Sequence, residues 1–256
     1  MSITIITVCF NSVSTIKRTF DSVLSQTLLP DEYIVKDGLS TDGTIDIIKE
    51  YEPLFKKKGV SFIILSEKDT GIYSAMNAGA FKATSQWLHF LNSDDYYLNN
   101  NSLQAVAYYL NGTSADVVYG NLIKGDLYHQ KEMTGIRADK LKLNMRFTCP
   151  LQQPCAFIKR ELFHLGYYFD EGYKISGDYK FFVQVIQDNN VCQHIPVYVT
   201  FFDEGGISSL QKNSKTKEED IRVLEECGIS TWIYKLKYYS LLYKPLILLF
   251  QVLSKL

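Results

Sequence analysis

One rhythm runs through the first hundred residues, and it constrains the fold more than anything else in the chain. Short apolar runs, "ITIITVCF", "DEYIVKDG", "VSFIILSEKD" and "WLHFLNSDD", alternate with stretches of helical spacing. In "SVSTIKRTFDSVLSQT" the apolar residues Ile16, Phe20, Val23 and Leu24 fall on one side of a helix. "STDGTIDIIKEYEPLF" predicts a second helix, with Ser40, Thr41 and Asp42 available as caps. "GIYSAMNAGAFKAT" predicts a third. Strands alternating with helices predict an α/β fold, a mostly parallel sheet with helices on both faces. Strands buried on both faces are apolar throughout rather than every second residue, as these are.

In such sheets ligands bind beyond the carboxyl ends of the strands. Those ends carry Asn11, Asp37, Asp69 and the pair Asp94-Asp95. Asn, Ser and Asp favour turns because they bond their own backbone, so "LNSDD" alone could be a solvated turn. Two adjacent carboxylates after a buried strand also suit a hard divalent cation, which prefers oxygen ligands.

Composition narrows the class. A length of 256 residues allows one large domain or two intimate halves, and 46% apolar residues can supply a core. A formal net charge of −1 argues against an overall basic nucleic-acid binder. The five cysteines are scattered with no Cys-x-x-Cys pair, which argues against zinc and for reduced thiols in a cytosol. The opening "MSITIITVCFNS" runs directly into a strand without a charged flank, unlike a secretory leader, and no apolar stretch has membrane-spanning length. His89 lies within an apolar strand and reads as a core residue, and the other three histidines lack metal-ligand spacing.

After Asp95 the rhythm changes. "SLQAVAYYLNG" predicts a helix, "ADVVYGNLI" a strand, "SGDYKFFVQVIQDN" an amphipathic helix and "VCQHIPVYVTFFDEGGIS" a strand-like stretch; 125–148 is irregular. The expected organisation is 1–96, 97–210 on the same sheet, and a helical tail over 211–256. The tail sequence "STWIYKLKYYSLLYKPLILLFQVLSKL" holds Lys235, Lys237, Lys244 and Lys255 and no acid, a composition suited to an amphipathic helix at an anionic membrane surface. A helix packed on the domain or on a second copy would read the same way.

Four segments in order, "TVCFNS", "VKDGLSTDGT", "EKDTGIYSAMNAG" and "LNSDD", resemble the family 2 glycosyltransferases. These are inverting GT-A-fold enzymes with nucleotide-sugar donors. The likeness is strong over about residues 3–95, and "QQPCAFIKRELF", "SGDYKFF" and "EGGIS" continue it weakly to about 210. It implies that Asp95 ligates Mn²⁺ or Mg²⁺, with Asp94 at the ribose or the metal. Asp37 would accept from the uracil N3–H and so prefer UDP-sugars. Thr7 and Asn11 would frame base and ribose, and Asp69 and Asn77 would lie under the nucleotide. Gly79 reads as a packing residue.

An inverting transfer needs a base to deprotonate the acceptor hydroxyl. Asp178 in "ISGDYKFF" takes that role by resemblance, although the family's frequent Glu-Asp pair is Gly177-Asp178 here. As an N-cap it would need no function. Gln152 and Gln153 are candidates for the acceptor site, though as turn residues before Pro154 they need no function, and Asp203 and Glu204 before Gly205-Gly206 are candidates for a mobile loop. A Gln-x-x-Arg-Trp motif, common in processive synthases, is missing, which favours single addition. The expected partners are a nucleotide-sugar donor, a glycan or lipid-linked glycan acceptor and a membrane surface, with no nucleic acid. The expected location is cytoplasmic, peripheral on the bacterial inner membrane. Two other readings stand beside this one. A sugar nucleotidyltransferase would want a Gly-rich, basic loop that "CFNSVSTIKR" lacks. A catalytically silent binding module is disfavoured by the three intact aspartates.

Overall fold

The computed structural model describes residues 1–126, 128–204 and 215–239. Gly205-Gly206 and the stretch 240–256, with Lys244 and Lys255, lie outside them.

The predicted strands form as β1 (Ile3–Cys9), β2 (Glu32–Asp37), β3 (Ser61–Ser66) and β4 (Trp87–Phe90), joined by α1 (Ile16–Leu24), α2 (Thr44–Lys57) and α3 (Ile72–Lys82). They make one parallel block in which β2 and β4 flank β1 and β3 pairs β2. Every residue of β1, β2 and β4 is buried, even Glu32 and Lys36. Helices cover both faces. On one side Phe20 of α1 and Phe55 of α2 meet the Tyr33 ring edge-on. On the other, α3 presses so closely on β1 that a Cβ at Gly79 would lie 2.5 Å from Ile6 Cγ2.

Beyond β4 the sheet becomes mixed. The later elements are β5 (Tyr96–Tyr97), α4 (Ser102–Leu110), β6 (Val117–Gly125), β7 (Gln130–Met133), α5 (Leu141–Asn144), β8 (Ala156–Lys159), α6 (Arg160–His164), α7 (Gly177–Gln187), β9 (Cys192–Asp203), α8 (Lys215–Glu226) and α9 (Trp232–Tyr239). The order is β3-β2-β1-β4-β8-β6-β9-β5, with β7 on β6. β8 is antiparallel to β4 and β6, whereas β9 runs parallel to β6. The sheet curls, so that His89 of β4 bonds the Tyr97 hydroxyl of β5 at 2.7 Å. Its Nε2 faces the Pro154 carbonyl at 3.0 Å, and burial lowers its pKa to about 4, so it is a neutral core histidine.

β5 and β7 escape a reading of the sequence. β5 has two residues, too few for a period, and β7 is the polar edge run "QKEM" inside the irregular stretch.

Candidate functional site

Parallel pairing brings the ends of β1, β2 and β3 into line, with Cys9, Asp37 and Ser66 in one row. Beyond it the chain bends sharply, and Asn11 and Leu39 both adopt positive φ. For Leu, whose side chain gives no local hydrogen bond in return, that conformation is strained. Asn11 ties the two loops, donating its N–H to Ser40 Oγ at 2.9 Å and accepting from Thr41 N at 2.9 Å.

Asp37 is buried and accepts from the Ser40 N–H and hydroxyl and from the Ser66 hydroxyl. Asp69 stands beside it, 3.0 Å from where a Cβ on Gly38 would be. Lys36 holds this corner from within. Its ammonium donates to the carbonyls of Asp37 and Glu67 and to Asp69 Oδ2, with distances of 3.2, 2.6 and 3.1 Å. A buried lysine with three acceptors is a pin for the loop, a role that a charged residue inside an apolar run does not announce. Of the expected helix caps, Asp42 takes the Thr44 N–H at 3.0 Å, while Ser40 serves Asp37 instead.

Three of the expected ligand residues have side chains engaged by the protein itself. The Thr7 hydroxyl is fully buried, donating to the Leu91 carbonyl at 2.7 Å and bonding the Tyr33 hydroxyl at 2.9 Å. Asn77 clamps the backbone of Phe169 through both amide atoms, at 2.7 and 2.9 Å. Gln153 donates to the Phe90 carbonyl at 2.6 Å from a buried position. Gln152 is half-buried in the turn leading to β8.

The "LNSDD" segment meets a partner from 108 residues away. β5 pairs antiparallel with β9, placing Tyr96 against Phe201. The Asp203 N–H then donates to Asp95 Oδ1 at 3.2 Å. Arg18 of α1 bridges the group, donating to Asp203 Oδ2 at 2.6 Å and to the Asp94 carbonyl at 2.8 Å, with its guanidinium over the Tyr96 ring. Arg18 and Asp203 were not readable as members. Arg18 looks like one exposed residue of an amphipathic helix, and Asp203 joins only through the strand pairing.

Burial pushes the Asp95 carboxyl well above the usual range, and the neighbouring Asp94 and Asp203 charges add to this. Burial likewise raises Asp94, with Asp203 adding and Arg18 opposing. Asn92 Oδ1 is buried with no protein donor. Among the described residues no set of three or more His, Cys, Asp or Glu forms a protein-only metal centre. Mg²⁺-type sites commonly take only one or two carboxylates, the rest coming from substrate phosphates and water. Asp94, Asp95 and the orphaned Asn92 oxygen fit that partial set.

Asp178 opens α7. Its Oδ1 accepts from the Tyr179 N–H at 2.9 Å and lies 3.3 Å from the Tyr73 hydroxyl of α3. Burial first, then the Asp220 charge, pushes this carboxyl up to about 6, against the hydrogen bonds that lower it. Gly177 has a steric reason, since a Cβ there would come 2.6 Å from the Tyr73 ring. The missing Glu of the family's pair is thus the space taken by Tyr73. Two surface hollows, one around Tyr108 and Gln193 and one around Arg137 and His194, lie apart from these residues. Charge and strand ends, rather than concavity, locate the site.

Comparison with known proteins agrees with this geometry. The Glycosyl transferase family 2 model matches residues 4–164. A PGL/p-HBAD biosynthesis glycosyltransferase of Mycobacterium bovis is 30% identical over 202 residues, covering 78% of this chain and 76% of that protein. Residues 1–349 of S. aureus TarS, in complex with UDP-GlcNAc, match with a TM-score of 0.69 at 17% identity, over 92% of this chain and 67% of that one. The mannosyltransferase PcManGT from Pyrobaculum calidifontis, in complex with GDP-Man and Mn²⁺, matches at 0.61 and 15% identity, over 99% and 80%. At such identities the structural likeness speaks for the fold, while the family match covers most of the sheet. The chain belongs to glycosyltransferase family 2, built on a GT-A fold.

Proposed function

We propose that this glycosyltransferase moves a hexosyl or N-acetylhexosaminyl group from a UDP-sugar, with inversion, to a hydroxyl of a lipid-linked glycan acceptor in bacterial surface polysaccharide synthesis. The observation that carries the reading is the buried Asp95 and half-buried Asp94 beside Asp203 and Arg18, at the same strand edge as Asp37 and Asp69. Asp95 and Asp94 would hold Mn²⁺ or Mg²⁺, which when bound offsets the charge developing on the departing diphosphate. Asp37 would meet the base with whatever acceptor capacity Ser40 and Ser66 leave it. Asp69 would act from under the nucleotide, through the turn that Lys36 fixes.

Asp178 would take the proton of the acceptor hydroxyl. A carboxyl raised to about 6 is a carboxylate at neutral pH, yet far more basic than an ordinary one, which is what a general base requires. The UDP-GlcNAc complex of TarS supports a nucleotide-sugar donor, and the Mn²⁺ of PcManGT supports a metal. The acid-free 229–256 segment supports work at the inner face of the bacterial membrane from the cytoplasmic side. No helix among the described residues is long and apolar enough to cross a membrane.

The test is a thermal-shift panel with UDP, GDP and ADP, each with and without Mn²⁺. UDP with Mn²⁺ should raise the melting temperature most, by several degrees at saturating ligand. Asp95→Ala should erase the metal-dependent part. A native protein indifferent to UDP and metal together refutes this donor assignment.

A further inference from the structure

The polar helix α8 reaches into the loop that carries Asp178. Glu219 Oε1 accepts the Lys174 N–H at 3.0 Å, and its Oε2 accepts those of Ile175 and Ser176, both at 2.9 Å. One carboxylate therefore gathers three consecutive backbone donors just before α7. Asp220 accepts from the Ser176 hydroxyl at 2.6 Å and from the Tyr234 hydroxyl of α9. From the other side Tyr73 donates to the Ile175 carbonyl, and its ring fills the space over Gly177. The approach to Asp178 is thus gripped between α3 and α8.

Packing alone does not account for this grip. In α8 only Val223 and Leu224 are buried, whereas Glu219 and Asp220 bond the loop. Charge-assisted bonds from fixed N–H groups impose an orientation that apolar contact does not.

We propose that Glu219, assisted by Asp220, is a positioning residue that fixes the 174–176 loop and so holds the Asp178 carboxyl against Tyr73 at the catalytic edge. The inference rests on the reading of Asp178 as the base. The groups facing Asp178 are Tyr73 of α3, Cys149 of the turn after α5, and Asp220 of α8, while Glu219 bonds the backbone of the loop before it. The Cys149 thiol is held neutral by burial and by Asp178 itself, and the Lys174 ammonium is directed to the Thr70 carbonyl. After burial, Asp220 is the α8 charge that raises the proton affinity of Asp178, while Glu219 fixes the loop just before it.

The experiment follows the Asp178 carboxyl by ¹³C NMR titration in the full chain, alongside steady-state kinetics. Glu219→Ala should admit water and lower the midpoint by about one pH unit. Turnover should fall about tenfold, with the donor KM changed less than about twofold. Asp220→Asn should lower the midpoint by removing a neighbouring charge. Glu219→Gln keeps an acceptor oxygen and serves if the alanine variant does not fold; it should lie between native and alanine in both readouts. In an Asp178→Asn background, Glu219→Gln should cost less than about twofold, because the group it positions is gone. An unmoved midpoint in the Glu219 variants, or turnover losses that multiply fully in the double variant, overturns the proposal. If Asp178→Asn alone retains native turnover, the base assignment fails, and the NMR midpoint still decides whether Glu219 positions the carboxyl.

Discussion

Asp95 and Asp178 are both carboxyls raised by burial, yet their surroundings differ in kind. Around Asp95 stand two further carboxyls, one guanidinium and an orphaned amide oxygen. Around Asp178 stand a phenol, a backbone N–H and a single carboxylate in the next layer. The first arrangement accumulates negative charge and acceptors faster than it supplies donors, and a cation relieves that. The second surrounds one carboxyl with donors and lets a measured repulsion tune its proton affinity. On the proposed reading, the same chemical group serves a metal in one region and a proton in the other.

The largest break in this comparison comes from Asp95→Ala. With Mn²⁺ and a saturating UDP-sugar, transfer should fall on the order of 10³-fold, because a hard cation loses its protein anchor. Initial rates of UDP release are the readout. A variant keeping a tenth of the native rate would show that the two carboxyl regions are not distinct in role. Asp178→Asn should cost about 10²-fold, while Mn²⁺-dependent UDP binding by calorimetry stays within a factor of about two. Weakened UDP binding there would merge the two regions into one donor site.

The difference should also appear as pH dependence. If Asp178 is the base, as proposed, it works as a carboxylate, so the native rate should drop about tenfold for each pH unit below its value of about 6, and the residual rate of Asp178→Asn should lose that limb. A native acid limb that survives in the variant assigns it to another group.

The two regions also differed in how much of them could be read from the chain. Asp37 ends, and Asp69, Asp94 and Asp95 follow, apolar strands of one parallel block, so they fall beyond the same carboxyl edge of the sheet. Arg18 and Asp203 join them through tertiary pairing, since β5 is too short to have a period and finds β9 only in the folded sheet. Thr7, Asn77 and Gln153 lie in or beside the expected segments, but their polar groups satisfy buried backbone or neighbouring hydroxyls. Residue type and spacing do not distinguish a ligand contact from an internal hydrogen bond. Asp178 was legible from a helix start, whereas Glu219 sits in an acidic stretch that looks like a solvated face. The sheet, predicted as mostly parallel, is so through β4 and mixed beyond it, where the connections no longer carry crossover helices of clear pattern.

The smallest expected effect is the most discriminating in sign. The folded-state value of Asp178, about 6, lies above its ordinary value of 3.8, so the folded chain binds this proton more tightly than the unfolded one. Its stabilising contribution is therefore complete below about pH 4 and is lost as the pH rises through about 6. At pH 7 the charged carboxyl opposes folding, and Asp178→Asn should stabilise the chain by on the order of 1 kcal/mol, the shift being discounted for partial solvent exposure. For a domain of this size that is roughly 2–4 °C in melting temperature. At pH 4 the gain should vanish, because native Asp178 is already neutral. Asp95→Asn should forfeit the shift produced by Mn²⁺ and UDP. Asp178→Asn should keep that shift in full. Melting curves of both variants at the two pH values, with and without Mn²⁺ and UDP, separate a carboxyl kept for a cation from one kept for a proton, and a destabilised Asp178→Asn at pH 7 would reverse the assignment of its environment.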